Sequence, residues 1–247
     1  MANLVVDIGN TLIKVAVFEN DTLIKTEFFT NIGIKQLEQL MAEHHIDKVI
    51  IASVKTGSES WESDLAALIP AVYFNRNMAG PVKNHYASPQ TLGLDRLAAM
   101  IGVYYLYPQA STLVIDAGTC ITYDYLDAVG NYYGGSISPG LNMRYKALNH
   151  YTSALPLVNT NEQFNQAFGN DTPGAIQSGV QNGIKYELTG FIESYRVNQP
   201  QLNIVLTGGD GIFFDTLLKN SIFAPYIKNE PYLVLKGLNA AIRYHND

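Results

Sequence analysis

The chain has 247 residues, 47% of them hydrophobic and 15% charged, the balance of a compact globular protein rather than a disordered one. Its formal net charge of −6 argues against nucleic acid or an anionic membrane as the main partner, although backbone N–H groups and a bound cation can still hold an anionic substrate. The single cysteine, Cys120, excludes an intrachain disulfide. No basic-then-apolar leader precedes the first strand and no apolar run nears the ~20 residues that span a bilayer, so the expectation is a soluble, cytoplasmic protein.

The N-terminal third opens with three strand-like runs, NLVVDIG, LIKVAVFE and LIKTEFF, the last two joined at Asn20-Asp21 as a hairpin. Ile34, Leu37, Leu40 and Met41 recur at helical spacing over 34–45. Lys48–Ser53 then forms a short buried strand, Glu59–Leu68 a helix and Ala71–Phe74 another strand. After Gly93, the apolar stripe Leu97, Ala98, Ile101 and Tyr105 marks a helix with Asp95 and Arg96 in its first turn. The pattern restarts at Thr112 with LVIDAG, CITYDYLD and, beyond a Gly130-Asn131 turn, Tyr132–Ser138. A helix starts near Leu141, and Thr172-Pro173 opens a long one, with Thr172 as its N-cap, that runs to about residue 197. Asn203–Thr207 is a buried strand, and Tyr232–Leu235 a final strand before a helix from about Gly237. Strands alternating with helices predict an α/β protein.

Two segments repeat each other. Residues 4–15 read LVVDIGNTLIKV and residues 113–124 read LVIDAGTCITYD, with the aspartates 109 positions apart (116 − 7). The repeat unit is therefore a half-molecule, predicting two similar lobes over 1–111 and 112–247. A buried strand ending in Asp-x-Gly-(Asn)-Thr brings a carboxylate, a freely turning backbone and a hydroxyl to one tight bend. That set suits a metal-bound polyphosphate, with Asp7 holding Mg2+ through water and Lys14 balancing phosphate charge. Taken once, the same residues would equally make a plain hairpin turn; their recurrence at Asp116, Gly118 and Thr119 favours phosphate binding. Gly93-Leu94-Asp95-Arg96 has two readings of its own. An acid in a helix's first turn satisfies the dipole, while an Asp beside an Arg could also accept a substrate hydroxyl proton next to a bound anion. Gly134–Gly140 and Thr207–Asp210 are small-residue segments after strands, where backbone can approach a nucleotide. The five histidines, among them His44, His45 and His245, show no metal-ligand spacing.

The ordered set DxGNT…K, GxDR, DxGT, GGxIxPG, NDT with a downstream SG, and TGG resembles type III pantothenate kinase, of the acetate and sugar kinase/Hsp70/actin superfamily. The resemblance runs from residue 7 to about 210. It implies a homodimer of two duplicated actin-like (ribonuclease H-like) lobes with mixed sheets and the active site in a cleft between them. The implied reaction is ATP-dependent phosphorylation of pantothenate to 4′-phosphopantothenate, the first step of coenzyme A synthesis, with Mg2+ and a monovalent cation, K+ or NH4+. By resemblance, Asp7, Ile8, Gly9, Asn10, Thr11, Leu12, Ile13 and Lys14 form the first ATP phosphate site, and Thr119 a phosphate contact in the second. Tyr86, Gly93, Leu94, Asp95 and Arg96 form the pantothenate site, with Asp95 the proton acceptor. Asp116 corresponds to the monovalent-cation ligand and Thr172 to a pantothenate contact supplied across the dimer. The alternatives are a kinase of another small alcohol on the same fold, or an actin-like or regulatory nucleotide-binding module without turnover.

Overall fold

The computed structural model describes residues 2–55 and 57–244; His245 lies outside them. In chain order the elements are β1 (Ala2–Ile8), β2 (Ile13–Glu19), β3 (Thr22–Phe29), α1 (Ile34–His44), β4 (Lys48–Ser53), α2 (Glu62–Leu68), β5 (Ala71–Tyr73), β6 (Lys83–Asn84) and α3 (Leu94–Leu106). There follow β7 (Thr112–Ala117), β8 (Cys120–Leu126), β9 (Asn131–Pro139), α4 (Leu141–His150), α5 (Thr172–Gln177), α6 (Gly183–Asn198), β10 (Asn203–Thr207), α7 (Gly211–Leu218), β11 (Ile227–Asn229) and α8 (Leu233–Tyr244). They pack as two compact units: Met1–Gln109 with Leu126–Tyr133 and Tyr232–Asp247, and Ala110–Tyr125 with Gly134–Pro231.

In the first unit the strand order is β3-β2-β1-β4-β5. β1 is antiparallel to β2 and parallel to β4, so the connection through α1 is a crossover. Every residue of β1 is buried, as a central strand covered on both faces requires. Leu4, Val6 and Ile8 join Leu37 and Leu40 of α1 and Leu65 of α2 in one core cluster. The alternate residues Asn3, Val5 and Asp7 face the other way, where α8 packs: Asn3 Nδ2 donates to Asn239 Oδ1 at 2.9 Å, and Asn239 Nδ2 to the Asn20 carbonyl at 2.7 Å. α8 also lies hard against α3. A methyl group added to Gly102 would come within 2.8 Å of the Leu233 carbonyl, and one on Gly237 would strike the Ala98 carbonyl. The C-terminal helix thereby braces both the strand carrying Asp7 and the helix carrying Asp95.

The second unit repeats the plan. The second sheet runs β6-β9-β8-β7-β10-β11, and beyond the added edge strand β6 its order matches the first, with β7 in the place of β1 and β10 in that of β4. Leu113, Ile115 and Ala117 meet Ile176, Val180, Ile184, Leu188 and Ile192 in its core. The equivalence extends to register: Asp7 lies opposite Ala52 of β4, and Asp116 opposite Thr207 of β10.

Several sequence expectations are corrected locally. Tyr232–Leu235 is not a strand: Lys236 N–H donates to the Tyr232 carbonyl at 2.9 Å, and α8 starts at Leu233. Leu233, Val234 and Leu235 are all buried, and so short an apolar run carries no period that separates strand from helix. The strand before it is instead β11, with one half-buried and two exposed residues. The long helix from 172 is interrupted by a π-helical turn over Ser178–Asn182. Its N-cap is Asp171, whose carboxylate accepts from Gly174 N–H at 2.7 Å, rather than Thr172. α2 begins at Glu62, not Glu59.

Candidate active site

The first bend connects β1 to β2. Gly9 N–H donates to the Leu12 carbonyl at 3.1 Å, closing the connection between the paired residues Ile8 and Ile13. Asn10, Thr11 and Leu12 are exposed at its tip, while the side chains of Ile8 and Ile13 are in the core. Contact from those two isoleucines to a ligand could therefore come only through main chain. Asp7 is 5% exposed and lies directly across from Lys14, whose ammonium is 3.9 Å from Asp7 Oδ2. That distance is the outer limit of an ion pair, and the charge is poorly compensated. Burial raises the Asp7 carboxyl to about 6, opposed by Lys14 and reinforced by the charge of Asp95. A buried carboxylate so disfavoured as an anion is suited to a cation brought by a ligand. Among the described residues no three His, Cys, Asp or Glu side chains converge. A divalent ion at Asp7 would thus draw its other ligands from water and phosphate oxygens, the usual way Mg2+ is held.

Asp95 and Arg96 open α3 behind Gly93, which has extended backbone. Asp95 Oδ1 accepts from the Arg96 N–H at 2.8 Å. A side chain on Gly93 would put its Cβ 2.5 Å from that oxygen, so the Asp95 carboxylate would have to turn away from the Arg96 N–H. Arg96 is buried, its guanidinium carbon 5.5 Å from the centre of the Tyr86 ring. Tyr86 in turn lies nearly parallel to the fully buried Tyr132, with centroids 6.4 Å apart at 7°. The structure so brings Tyr86, Asp95 and Arg96 together and sets Asp95 within electrostatic reach of Asp7.

The second bend, in the other unit, is tighter. Gly118 N–H donates to the Cys120 carbonyl at 3.1 Å, and Thr119 is exposed. Both small-residue segments meet this bend. Gly140 N–H donates to the Thr119 carbonyl at 3.1 Å, and a Cβ on Gly140 would collide with the carbonyls of Gly118 and Thr119. Gly208, at φ +87°, lies so close to Asp116 Oδ1 and Ala117 that no side chain fits. Asp210 N–H donates to the Ala117 carbonyl at 2.9 Å, and burial raises the Asp210 carboxyl. Gly135 has another purpose: a side chain there would strike the Tyr123 carbonyl of β8, so it serves strand packing.

Thr172 is exposed at the start of α5. The irregular segment before it is pinned by side chains of the π-helical turn. Gln181, buried, accepts from the Tyr145 hydroxyl at 2.8 Å and from Asn161 N–H at 3.0 Å, and donates to the Asn161 carbonyl at 2.9 Å. Asn182 and Ser178 bond the Ala167 carbonyl at 3.3 and 3.0 Å. Burial pushes the Tyr145 hydroxyl up to about 12, so it stays a donor at every working pH. Sequence periodicity does not reveal these bonds, because they depend on an extra residue in one helical turn.

The duplicated α/β plan with Asp-Gly-Thr bends at equivalent strand ends defines an actin-like fold of two lobes. Two solved structures share it: the ADPNP-bound activator of 2-hydroxyisocaproyl-CoA dehydratase from Clostridium difficile (TM-score 0.58, 12% identity, 100% of this chain and 96% of that one) and the ROK hexokinase from Thermus thermophilus (TM-score 0.55, 14% identity, 98% of each). A sequence model described as type III pantothenate kinase matches residues 3–194. The type III pantothenate kinase of Bacteroides fragilis is 42% identical over 245 residues, 99% of this chain and 98% of its own length. The chain belongs to the type III pantothenate kinase family.

Proposed function

We propose that this protein transfers the γ-phosphoryl group of ATP to the primary hydroxyl of pantothenate, giving 4′-phosphopantothenate for coenzyme A synthesis. The observation that carries the reading is the electrostatic proximity of Asp7 and Asp95, a cation-seeking carboxylate and a helix-end carboxylate beside a buried arginine, inside a full-length family match. Phosphoryl transfer requires positioning and charge neutralisation above all. Asp7 would hold Mg2+ through water, and that ion, when bound, would neutralise charge on the β- and γ-phosphates. Lys14 and the Gly9–Leu12 bend would receive phosphate oxygens, and Thr119 would contribute from the second bend. Asp95 would accept the hydroxyl proton as the new O–P bond forms. Arg96, steadied by Tyr86, would fork onto the pantothenate carboxylate.

Asp116 would bind K+ or NH4+, and the active unit would be a homodimer in which Thr172 reaches the partner's pantothenate. Gly179 and Gly183 support that reading, since among the described residues nothing outside their own helical turns lies within 4 Å of where their Cβ atoms would be and a second backbone could approach there.

The test is purified protein with ATP, Mg2+, K+ and pantothenate, followed by mass detection of 4′-phosphopantothenate, beside a panel of other small alcohols. ATP consumption with a different alcohol alone would overturn the substrate. Nucleotide binding without turnover on any alcohol would overturn the kinase reading.

A further inference from the structure

The second unit carries a polar cluster that none of the roles above uses. Glu187 on α6 receives donors from three other elements. The Tyr123 hydroxyl of β8, at 2.8 Å, and the Ser138 hydroxyl of β9 both reach Oε1, while the Arg144 guanidinium of α4 pairs with Oε2. The pair is largely withdrawn from water, with side chains 20% and 23% exposed. Burial by itself would raise the Glu187 carboxyl, but the bonds from Ser138, Arg144 and Tyr123 prevail and hold it below the usual range. The Tyr123 ring is fully buried and stacks on Phe191 with centroids 3.9 Å apart. The first donor is therefore fixed in the core and holds the half-buried acceptor.

Arg144 has a second prong. Its Nε donates to the Pro139 carbonyl at 2.8 Å, and the same side chain reaches Ser138 Oγ at 3.3 Å. Pro139 ends β9, and the next residue, Gly140, is the one whose N–H holds the Thr119 carbonyl. A chain of contacts thus runs from Glu187 through Arg144 and the strand end to Thr119.

We propose that Arg144, held by Glu187, is a positioning residue for the nucleotide: it clamps the Pro139-Gly140 strand end against Thr119 and so sets where the second bend meets the phosphates. The inference rests on the reading of Thr119 as a phosphate contact. The planar guanidinium spans two acceptors in fixed directions, whereas a lysine ammonium offers a point charge on a flexible stem. A displacement of the bend by about 1 Å is the scale of error that costs up to ~100-fold in rate.

The experiment compares wild type with Arg144→Lys, Arg144→Met, Glu187→Gln and Tyr123→Phe in two readouts. Calorimetric binding of a non-hydrolysable ATP analogue with Mg2+ needs no acceptor, and steady-state kinetics vary ATP and pantothenate separately. Arg144→Met should weaken analogue binding and raise the KM for ATP by about 10- to 100-fold, with the KM for pantothenate unchanged. Arg144→Lys should recover only part of that, and Glu187→Gln should fall between them. Should Arg144→Met fail to fold by circular dichroism, Tyr123→Phe and Arg144→Lys carry the same comparison. Analogue binding within twofold of wild type in the folded variants overturns the proposal, as does an equal rise in both KM values. A wild type that binds the analogue but never phosphorylates pantothenate overturns the substrate reading instead and leaves this comparison decisive for the clamp.

Discussion

The charge of Asp95 bears on Asp7: the carboxylate in the first turn of α3 adds to the burial that lifts the β1 carboxylate to about 6. Each sits on an element braced by α8, through Asn3 and Asn239 for β1 and through the Gly102–Gly237 crossing for α3. Two like charges held near one another, with Lys14 only at the outer limit of an ion pair, make a site that gains from a cation. In the folded protein without ligands, Asp7 is mostly neutral below its raised pKa of about 6 and mostly charged above it.

The cost of that arrangement is measurable. A carboxyl raised from 3.8 to about 6 contributes almost nothing at about pH 3 and below, where folded and unfolded states are both protonated, and its full penalty at about pH 7 and above. The shift corresponds to about 3 kcal/mol at ~1.36 kcal/mol per pKa unit. Asp7→Asn should therefore abolish turnover yet raise stability by about that amount at about pH 8, with almost no gain at about pH 3. Urea unfolding without metal or nucleotide at the two pH values checks it, and an equal gain at both would contradict the assignment.

Asp95→Asn keeps size and one acceptor oxygen but removes the charge and the proton-accepting ability. A general base typically contributes ~10²–10⁴-fold, so kcat should fall in that range while ATP affinity changes little. Because Asp95 helps raise Asp7, the same variant should lower the Asp7 carboxyl pKa, visible in carboxyl NMR titration. Wild-type kcat, or a defect confined to nucleotide binding, would refute the role.

For Asp116 the readout is ionic. Replacing K+ with Na+ should depress activity strongly, and Asp116→Ala should remove the difference between the two salts. Light scattering on the same samples should give a dimer. A fully active monomer indifferent to the cation would defeat both readings.

Gly237→Ala tests the brace. Its methyl group would meet the Ala98 carbonyl, so α3 and α8 must part. Overpacking of this kind costs about 1–3 kcal/mol, and the catalytic rate should fall with it because α3 carries Asp95. Unchanged stability in thermal unfolding would show that the crossing tolerates the methyl.

Gln181→Ala should free the segment that leads to Thr172. It strips the partner from the buried Tyr145 hydroxyl, a loss of about 1–3 kcal/mol, and releases both main-chain groups of the exposed Asn161. Limited proteolysis between residues 152 and 170 should accelerate in this variant; an unaltered digestion pattern would count against the pinning.

By itself the sequence determined the duplication, the two Asp-x-Gly-Thr bends at strand ends and the GxDR helix start. These are local signals: β-branched runs specify strands, glycine permits the bend, and a 3.6-residue apolar stripe specifies α3. It also marked Tyr86 and Arg96 by resemblance, and the fold stacks the two. Only the tertiary structure decided that Asp7 and Asp95 share one electrostatic neighbourhood, since residues far apart in the chain become neighbours only through α3 and α8 packing. The same holds for Leu233–Leu235, where a short, uniformly buried run is helix or strand according to what it packs on. The clamp of Glu187 and Arg144 belongs there too. Each residue looks like a solvated charge in sequence, and they become a pair because β8, β9, α4 and α6 converge on one carboxylate.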